Sequence, residues 1–215
     1  MPQPAVRTAL AQALSIVFPT WCAGCDRPDI ALCEDCLTHL RPVPLTRAVG
    51  DVPVRSAVAF DGVAARILRA FKEDGRTPLA RPLGQALAAV VAEPPRAGGG
   101  TDAVVVPVPS SRAALRRRGY PIAELLARRG GLQPQRLLLP ARAAADQRGL
   151  HRAERLRNLA GTMRARQVRG LRVIVVDDVV TTGATLGEAV RALRAAGATV
   201  VAAATVAATP RRAPP

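Results

Sequence analysis

The chain has 215 residues, of which 49% are hydrophobic and 2% aromatic, and it carries a formal net charge of +15. That length holds one α/β domain with a small accessory module and excludes two large domains. With three Phe, one Trp and one Tyr, the core must be built from Ala, Val and Leu, and the scattered aromatics argue against a stacking platform for single strands.

The charge is almost all arginine, since Lys72 is the one lysine. Clustered cations release counterions from a nucleic-acid backbone, so such a charge invites a nucleic-acid partner. Arginines spread over solvated faces by a biased composition would give the same sum. Both readings stand at this point.

Taken in order, residues 5–17 place Val6, Ala9, Leu10, Ala13, Leu14 and Val17 at helical spacing, and Pro19 ends the run. The uncharged stretch between Arg7 and Asp26 contains Gln12, Ser15, Pro19 and two cysteines, so it does not read as a signal peptide. No stretch has the length and apolarity of a membrane span. The expected location is the cytoplasm, where thiols stay reduced.

All four cysteines follow at once, as Cys22-x2-Cys25-x7-Cys33-x2-Cys36. Two such knuckles offer four thiolates to one tetrahedral zinc, which would be structural because no coordination position stays open. Two disulfides, a redox dithiol, another metal and an iron–sulfur cluster are the alternatives. His39 is a substitute ligand by position and a surface histidine by default.

Pro42, Pro44 and Pro53 read as a linker between this module and the main domain. Val54 to Phe60 predicts a strand, Asp61-Gly62 a turn, and Val63 to Phe71 and Leu79 to Val91 two helices. Pro94-Pro95 and Gly98-Gly99-Gly100 predict a flexible connection. A strand over 103–108 leads through Pro107-Val108-Pro109-Ser110-Ser111 into a basic helix with Arg112, Arg116, Arg117 and Arg118, then Gly119-Tyr120. An arginine at the carboxyl edge of a parallel sheet suits a pyrophosphate. Leu137 to Leu139 predicts a short strand, and 140–171 a long polar connection that serves as a lid keeping water from a reaction. Thr199 to Val206 predicts a last buried strand, and 209–215 a disordered basic tail.

The most informative stretch lies between these. Val173 to Val176 reads as a strand buried on both faces, with Asp177 and Asp178 at its end. A hydroxyl-rich turn, Thr181-Thr182-Gly183-Ala184-Thr185, leads into a helix with Leu186, Ala189, Val190, Leu193 and Ala196 on one face, stopped by Gly197. Unpaired N–H groups at a helix start suit a phosphate, and the carboxylates suit sugar hydroxyls or a divalent cation carried by the ligand. The plain alternative is a turn closed by a Thr185–Glu188 capping box.

This stretch resembles the phosphoribosyl pyrophosphate motif of type I phosphoribosyltransferases. The resemblance implies an α/β fold with a mostly parallel sheet flanked by helices, preceded here by a small zinc-binding module. It implies that Asp177 and Asp178 hold the ribose 2- and 3-hydroxyls and act as the catalytic pair. Thr181, Thr182, Gly183, Ala184 and Thr185 would wrap the 5-phosphate, with Val179 and Val180 belonging to the same binding segment, magnesium would accompany the ligand, and Arg112 or its neighbours would receive the leaving pyrophosphate.

The order of motifs narrows the resemblance. A four-cysteine module, then Phe71-Lys72-x2-Gly75, Pro107-Val108-Pro109, Arg118-Gly119-Tyr120, Gln147 with Arg155 and Asn158, and finally the phosphoribosyl motif is similar to the ComF-type competence protein family, over residues 18–206. Pro121 and Ile122 depart from the Asn-Gln that commonly follows the Arg-Gly-aromatic segment there. That resemblance implies a cytoplasmic protein linked to DNA uptake. Its ligand would be phosphoribosyl pyrophosphate or a nucleoside monophosphate. The other reading is a sensor that engages single-stranded DNA or the uptake machinery. A homo-oligomer stays open. The expected division is 1–45 for the N-terminal helix and zinc module, 46–208 for the phosphoribosyltransferase-like domain and 209–215 for the tail.

Overall fold

The computed structural model describes residues 20–92, 102–141 and 161–210. The predicted helix over 5–17, the glycine-rich connection at 98–100, most of the lid (142–160) and the last five residues of the tail lie outside that description.

A five-stranded sheet organises the chain, in the order β1-β2-β7-β6-β3. Its strands are β1 (Leu45–Val49), β2 (Val52–Ala59), β3 (Val104–Pro107), β6 (Arg172–Val180) and β7 (Thr199–Ala208). Neighbours from β2 to β3 are parallel, and only β1 runs antiparallel, against β2. A separate arm pairs β4 (Leu138–Pro140) with β5 (Met163–Ala165). The described helices are α1 (Glu34–Thr38), α2 (Gly62–Glu73), α3 (Ala80–Ala92), α4 (Arg112–Arg118), α5 (Ile122–Arg129) and α6 (Ala184–Ala195).

Both faces of the sheet are covered, as crossover connections require of parallel strands. On one face Ile67, Leu68 and Phe71 of α2, Leu83 and Leu87 of α3 and Leu126 of α5 pack with Ala57, Val176, Ala204 and Val206. On the other, Leu186, Ala189, Val190 and Leu193 of α6 pack with Val52, Val54, Val173, Val175 and Ala203, and Leu138 and Met163 of the arm join them. The predicted apolar face of α6 is therefore the buried one. Small Ala and Val side chains let β6 and β7 lie under helices on both sides.

Four expectations need correction. The proline-bounded stretch is not a linker: Leu45 to Val49 is an edge strand, and Pro53 lies inside β2 opposite Ala48. Proline is tolerated there because the hairpin's outer strand need not receive its missing N–H. The connection after Leu139 is interrupted by β5. An unpredicted helix, α5, follows Pro121 directly. Finally, the strand expected to stop at Val176 runs on through both carboxylates to Val180.

Candidate functional site

Asp177 and Asp178 are adjacent in the second half of β6, so the pleat sends their side chains to opposite faces. Asp177 is registered opposite Thr205 of β7. Asp178 is buried at 7% exposure. Each carboxylate also accepts the N–H of the residue that follows it: Asp178 N to Asp177 Oδ1 at 2.9 Å, and Val179 N to Asp178 Oδ1 at 2.8 Å. Burial raises the Asp177 carboxyl well above the ordinary carboxylate range, and the charge of Asp178 adds to that.

Asp178 has a partner that the sequence could not announce. Lys72 Nζ, in the last turn of α2, lies 2.6 Å from Asp178 Oδ2. The two form a close charge pair that the low exposure of Asp178 shields from solvent. The main chain around Lys72 is held by a second segment. Arg118 Nε donates to the Lys72 carbonyl at 2.9 Å, and the Tyr120 hydroxyl donates to the Phe71 carbonyl at 2.7 Å. Tyr120 also stacks on Phe71 with ring centroids 5.6 Å apart. Three motifs far apart in sequence thus meet at one corner.

Beyond β6, Thr181 and Thr182 are exposed, Ala184 and Thr185 are half-buried, and Val180 is buried. Gly183 occupies the N-cap position of α6 with φ +85°, and a Cβ there would stand 2.6 Å from Val49 Cγ2. Glycine is required on both counts. Thr182 Oγ1 accepts from Ala184 N at 3.3 Å. The capping box does not form: Glu188 is buried, accepts from Met163 N at 3.0 Å and pairs with Arg191 at 2.7 Å. It bolts the β4–β5 arm to α6. Arg47 of β1, a residue the sequence did not single out, donates to the carbonyls of Thr181 (3.0 Å) and Thr209 (2.7 Å) and so braces the turn.

Arg112 opens α4, on the loop that leaves β3 beside β6, and its side chain is exposed, as are Arg116 and Arg117. Val108 N donates to Val176 O at 2.9 Å, which keeps that loop against the strand carrying the carboxylates.

The four cysteines form a second centre. Their Sγ atoms all lie within 4.8 Å of one another, with Cys22, Cys33 and Cys36 buried and Cys25 exposed. Cys22 and Cys25 each stand 3.7 Å from Cys33. That matches the edge of about 3.8 Å of a tetrahedron with zinc–sulfur bonds of about 2.3 Å, and it is far too long for a disulfide. The cysteines are free thiols. The donor set therefore fits one soft tetrahedral ion. Burial raises the Cys22 thiol, but amide donors, among them those of Cys33 and Gly24, outweigh it and bring it down to about 6. Burial pushes Cys36 up instead. His39 is exposed at the end of α1 and lies outside the cluster.

This centre is packed onto α2. Cys22, Cys33, Cys36 and Leu40 share a core with Ala64, Ile67 and Phe71. A Cβ on Gly24 would stand 2.8 Å from Val63 Cγ1. Arg76, just beyond the helix, donates to the carbonyls of Trp21 and Ala31, and Arg66 pairs with Asp26. No helix among the described residues is long and apolar enough to cross a membrane.

Residues 98–215, more than half of the chain, match the family model described as the phosphoribosyl transferase domain. Among solved structures, one titled as the allosteric regulatory enzyme of purine biosynthesis is similar at 26% identity, over 60% of this chain and 25% of that one, with a TM-score of 0.38. Leishmania donovani UMP synthase is similar at 21% identity, over 79% of this chain and 30% of that one, with a TM-score of 0.39. The chain thus spans less than a third of either. No curated protein matches it.

Proposed function

The chain belongs to the phosphoribosyl transferase domain family, and on that premise we propose that it binds phosphoribosyl pyrophosphate and transfers its phosphoribosyl group to an acceptor. One observation carries the proposal: two adjacent carboxylates lie near the end of β6, Asp178 buried with Lys72 as its charge partner, and a glycine-capped turn opens α6 a few residues beyond them. In this reading the ribose hydroxyls donate to the two carboxylates. The turn supplies N–H groups and threonine hydroxyls for the 5-phosphate.

In this reading Asp177 and Asp178 orient the ribose, and Val179 to Thr185 enclose the phosphate. Exposed Arg112 neutralises the pyrophosphate. The acceptor's lone pair forms the new bond to C1 as the C1–oxygen bond to pyrophosphate breaks, and pyrophosphate leaves with that electron pair. Such a transfer depends on positioning and electrostatics more than on a covalent nucleophile. Magnesium, when it arrives with the ligand, supplies further neutralisation of the pyrophosphate. Zinc in the four-cysteine centre has a structural task, as four thiolates complete its coordination.

The finer assignment is to the ComF-type competence proteins, in the cytoplasm and with a role in DNA uptake. It is supported by the convergence of Phe71-Lys72, Arg118-Gly119-Tyr120 and Asp177-Asp178 at one corner and by the adjoining cysteine module (residues 1–45 in the proposed division). A second reading, a ribose-phosphate sensor that engages single-stranded DNA, is favoured by exposed Arg112, Arg116 and Arg117 on α4.

Calorimetry with phosphoribosyl pyrophosphate and magnesium, then a nucleobase screen for pyrophosphate release, tests the first reading. Turnover that survives replacement of both Asp177 and Asp178 by Asn would sink it. Salt-dependent binding of single-stranded DNA that persists in that variant, without turnover in the parent, selects the second.

A further inference from the structure

The β1–β2 hairpin is fastened to α6 and to the turn before it at three points. At the far end Asp51 pairs with Arg194 of the last helical turn through two contacts of 2.8 Å. In the middle, Val49 fills the space beside Gly183 and Gly187. At the near end Arg47 spreads one guanidinium over two carbonyls, Nη1 donating to Thr181 O at 3.0 Å and Nη2 to Thr209 O at 2.7 Å. Thr209 N donates in turn to Val180 O at 3.0 Å. The ends of β6 and β7 are thereby tied together at the residue where the turn begins. Asp51 and Val49 act on the helix, whereas Arg47 acts on the first peptide of the turn.

What that grip fixes follows from peptide geometry. A trans peptide points its C=O and its N–H in opposite directions. Holding Thr181 O against β1 therefore turns the Thr182 N–H away from β1. Neither Thr182 N nor Gly183 N donates to any group among the described residues, and Thr181 and Thr182 are exposed. Amides in such a turn bind an anion well only when they are aimed before it arrives, because otherwise the ordering cost comes out of the binding energy.

We propose that Arg47 is a positioning residue for the ligand's 5-phosphate: by clamping the carbonyls of Thr181 and Thr209 with both arms of its guanidinium, it aims the amides of Thr182 and Gly183 before the phosphate binds. The proposal rests on the phosphoribosyl pyrophosphate reading and adds to it a residue of the edge strand, 134 positions from Thr181. Arg47 acts through the main chain and touches no ligand atom. The task needs the planar fork, since an ammonium is a point charge that cannot span both carbonyls with one fixed geometry.

The test is calorimetry on the full chain with magnesium, using ribose 5-phosphate, phosphoribosyl pyrophosphate and pyrophosphate as separate ligands. The proteins are wild type, Arg47→Met, Arg47→Lys and Asp51→Asn, with thermal unfolding to verify folding. Arg47→Met should bind both 5-phosphate ligands roughly 10-fold more weakly, the size of one charge-assisted contact, and should bind pyrophosphate as wild type does. Arg47→Lys keeps the charge without the fork and should stay several-fold weaker than wild type. Asp51→Asn frees the hairpin from the far end of α6 and should leave all three affinities unchanged. An unchanged affinity in a folded Arg47→Met protein, an equal loss for pyrophosphate, full recovery by Arg47→Lys, or an equal loss in Asp51→Asn each overturns the role of Arg47 and leaves the site reading intact. Failure of the wild type to bind either 5-phosphate ligand overturns both. If Arg47→Met does not fold, Arg47→Lys decides: weaker binding confined to the 5-phosphate ligands upholds the proposal, and any other pattern overturns it.

Discussion

The Tyr120 hydroxyl donates to the carbonyl of Phe71 at 2.7 Å across 49 residues of sequence. The last turn of α2 has carbonyls with no helical partner, and this bond, with Arg118 on Lys72, satisfies two of them. Tyr120→Phe keeps the ring stack and removes one bond. It should cost about 1 kcal/mol in urea unfolding and weaken phosphoribosyl pyrophosphate binding a few-fold by loosening Lys72. No change in either measurement would show that the clamp is incidental.

Gly183 carries a second constraint. Gly183→Ala must place a side chain at φ +85° and against Val49. The left-handed conformation costs about 1–2 kcal/mol, and overpacking adds about 1–3 kcal/mol. Denaturant unfolding of Gly183→Ala should show a loss of at least about 2 kcal/mol, with Gly183→Ala/Val49→Ala recovering only the packing part. A full recovery in the double variant would mean that backbone strain contributes nothing.

Glu188 sets a dependence on pH. Burial raises its carboxyl, but the Arg191 guanidinium and the Met163 N–H outweigh this and hold it below its ordinary 4.5. A depressed carboxyl stabilises the fold fully above that ordinary value, and the contribution is lost as pH falls through the lower folded value. Glu188→Gln should therefore destabilise by about 1–3 kcal/mol at pH 7, a range kept modest because half of Arg191 meets solvent. By pH 3 the gap to wild type should narrow. Equal gaps at both pH values would refute the assignment.

Metal removal should be felt beyond the cysteines. The module shares its core with α2, and α2 carries Lys72. A strong chelator should lower Tm by more than about 5 °C, because metal binding to such sites is coupled to folding. It should also reduce affinity for phosphoribosyl pyrophosphate in wild type more than in Lys72→Met. Identical losses in the two proteins would show that the module does not act through α2.

Much of this was legible from residue patterns. The β-branched run at Val173 to Val176 and the Leu186, Ala189, Val190, Leu193 spacing both lie where helix and sheet bury them. The four cysteines converge as two knuckles should. What stayed hidden had weak local signals. Edge strand β1 buries little, so it lacks an apolar run, although Gly50-Asp51 between Val49 and Val52 is a hairpin signature. Helix α5 was masked by Pro121, which stands at its N-cap, where proline does no harm. The carboxylates disguised the end of β6 because charged residues seldom continue a buried strand. The Lys72–Asp178 pair spans 106 positions and exists only through the packing of α2 on the sheet.

The composition of the chain gives that pair an unusual experimental reach. Because Lys72 is the one lysine among 215 residues, any amine-selective reagent reports, apart from the α-amine, on a single side chain beside Asp178. The extent of its acylation reports how readily that amine is reached beside Asp178, and mass spectrometry of one tryptic fragment reads it without a mutation or a substrate assay.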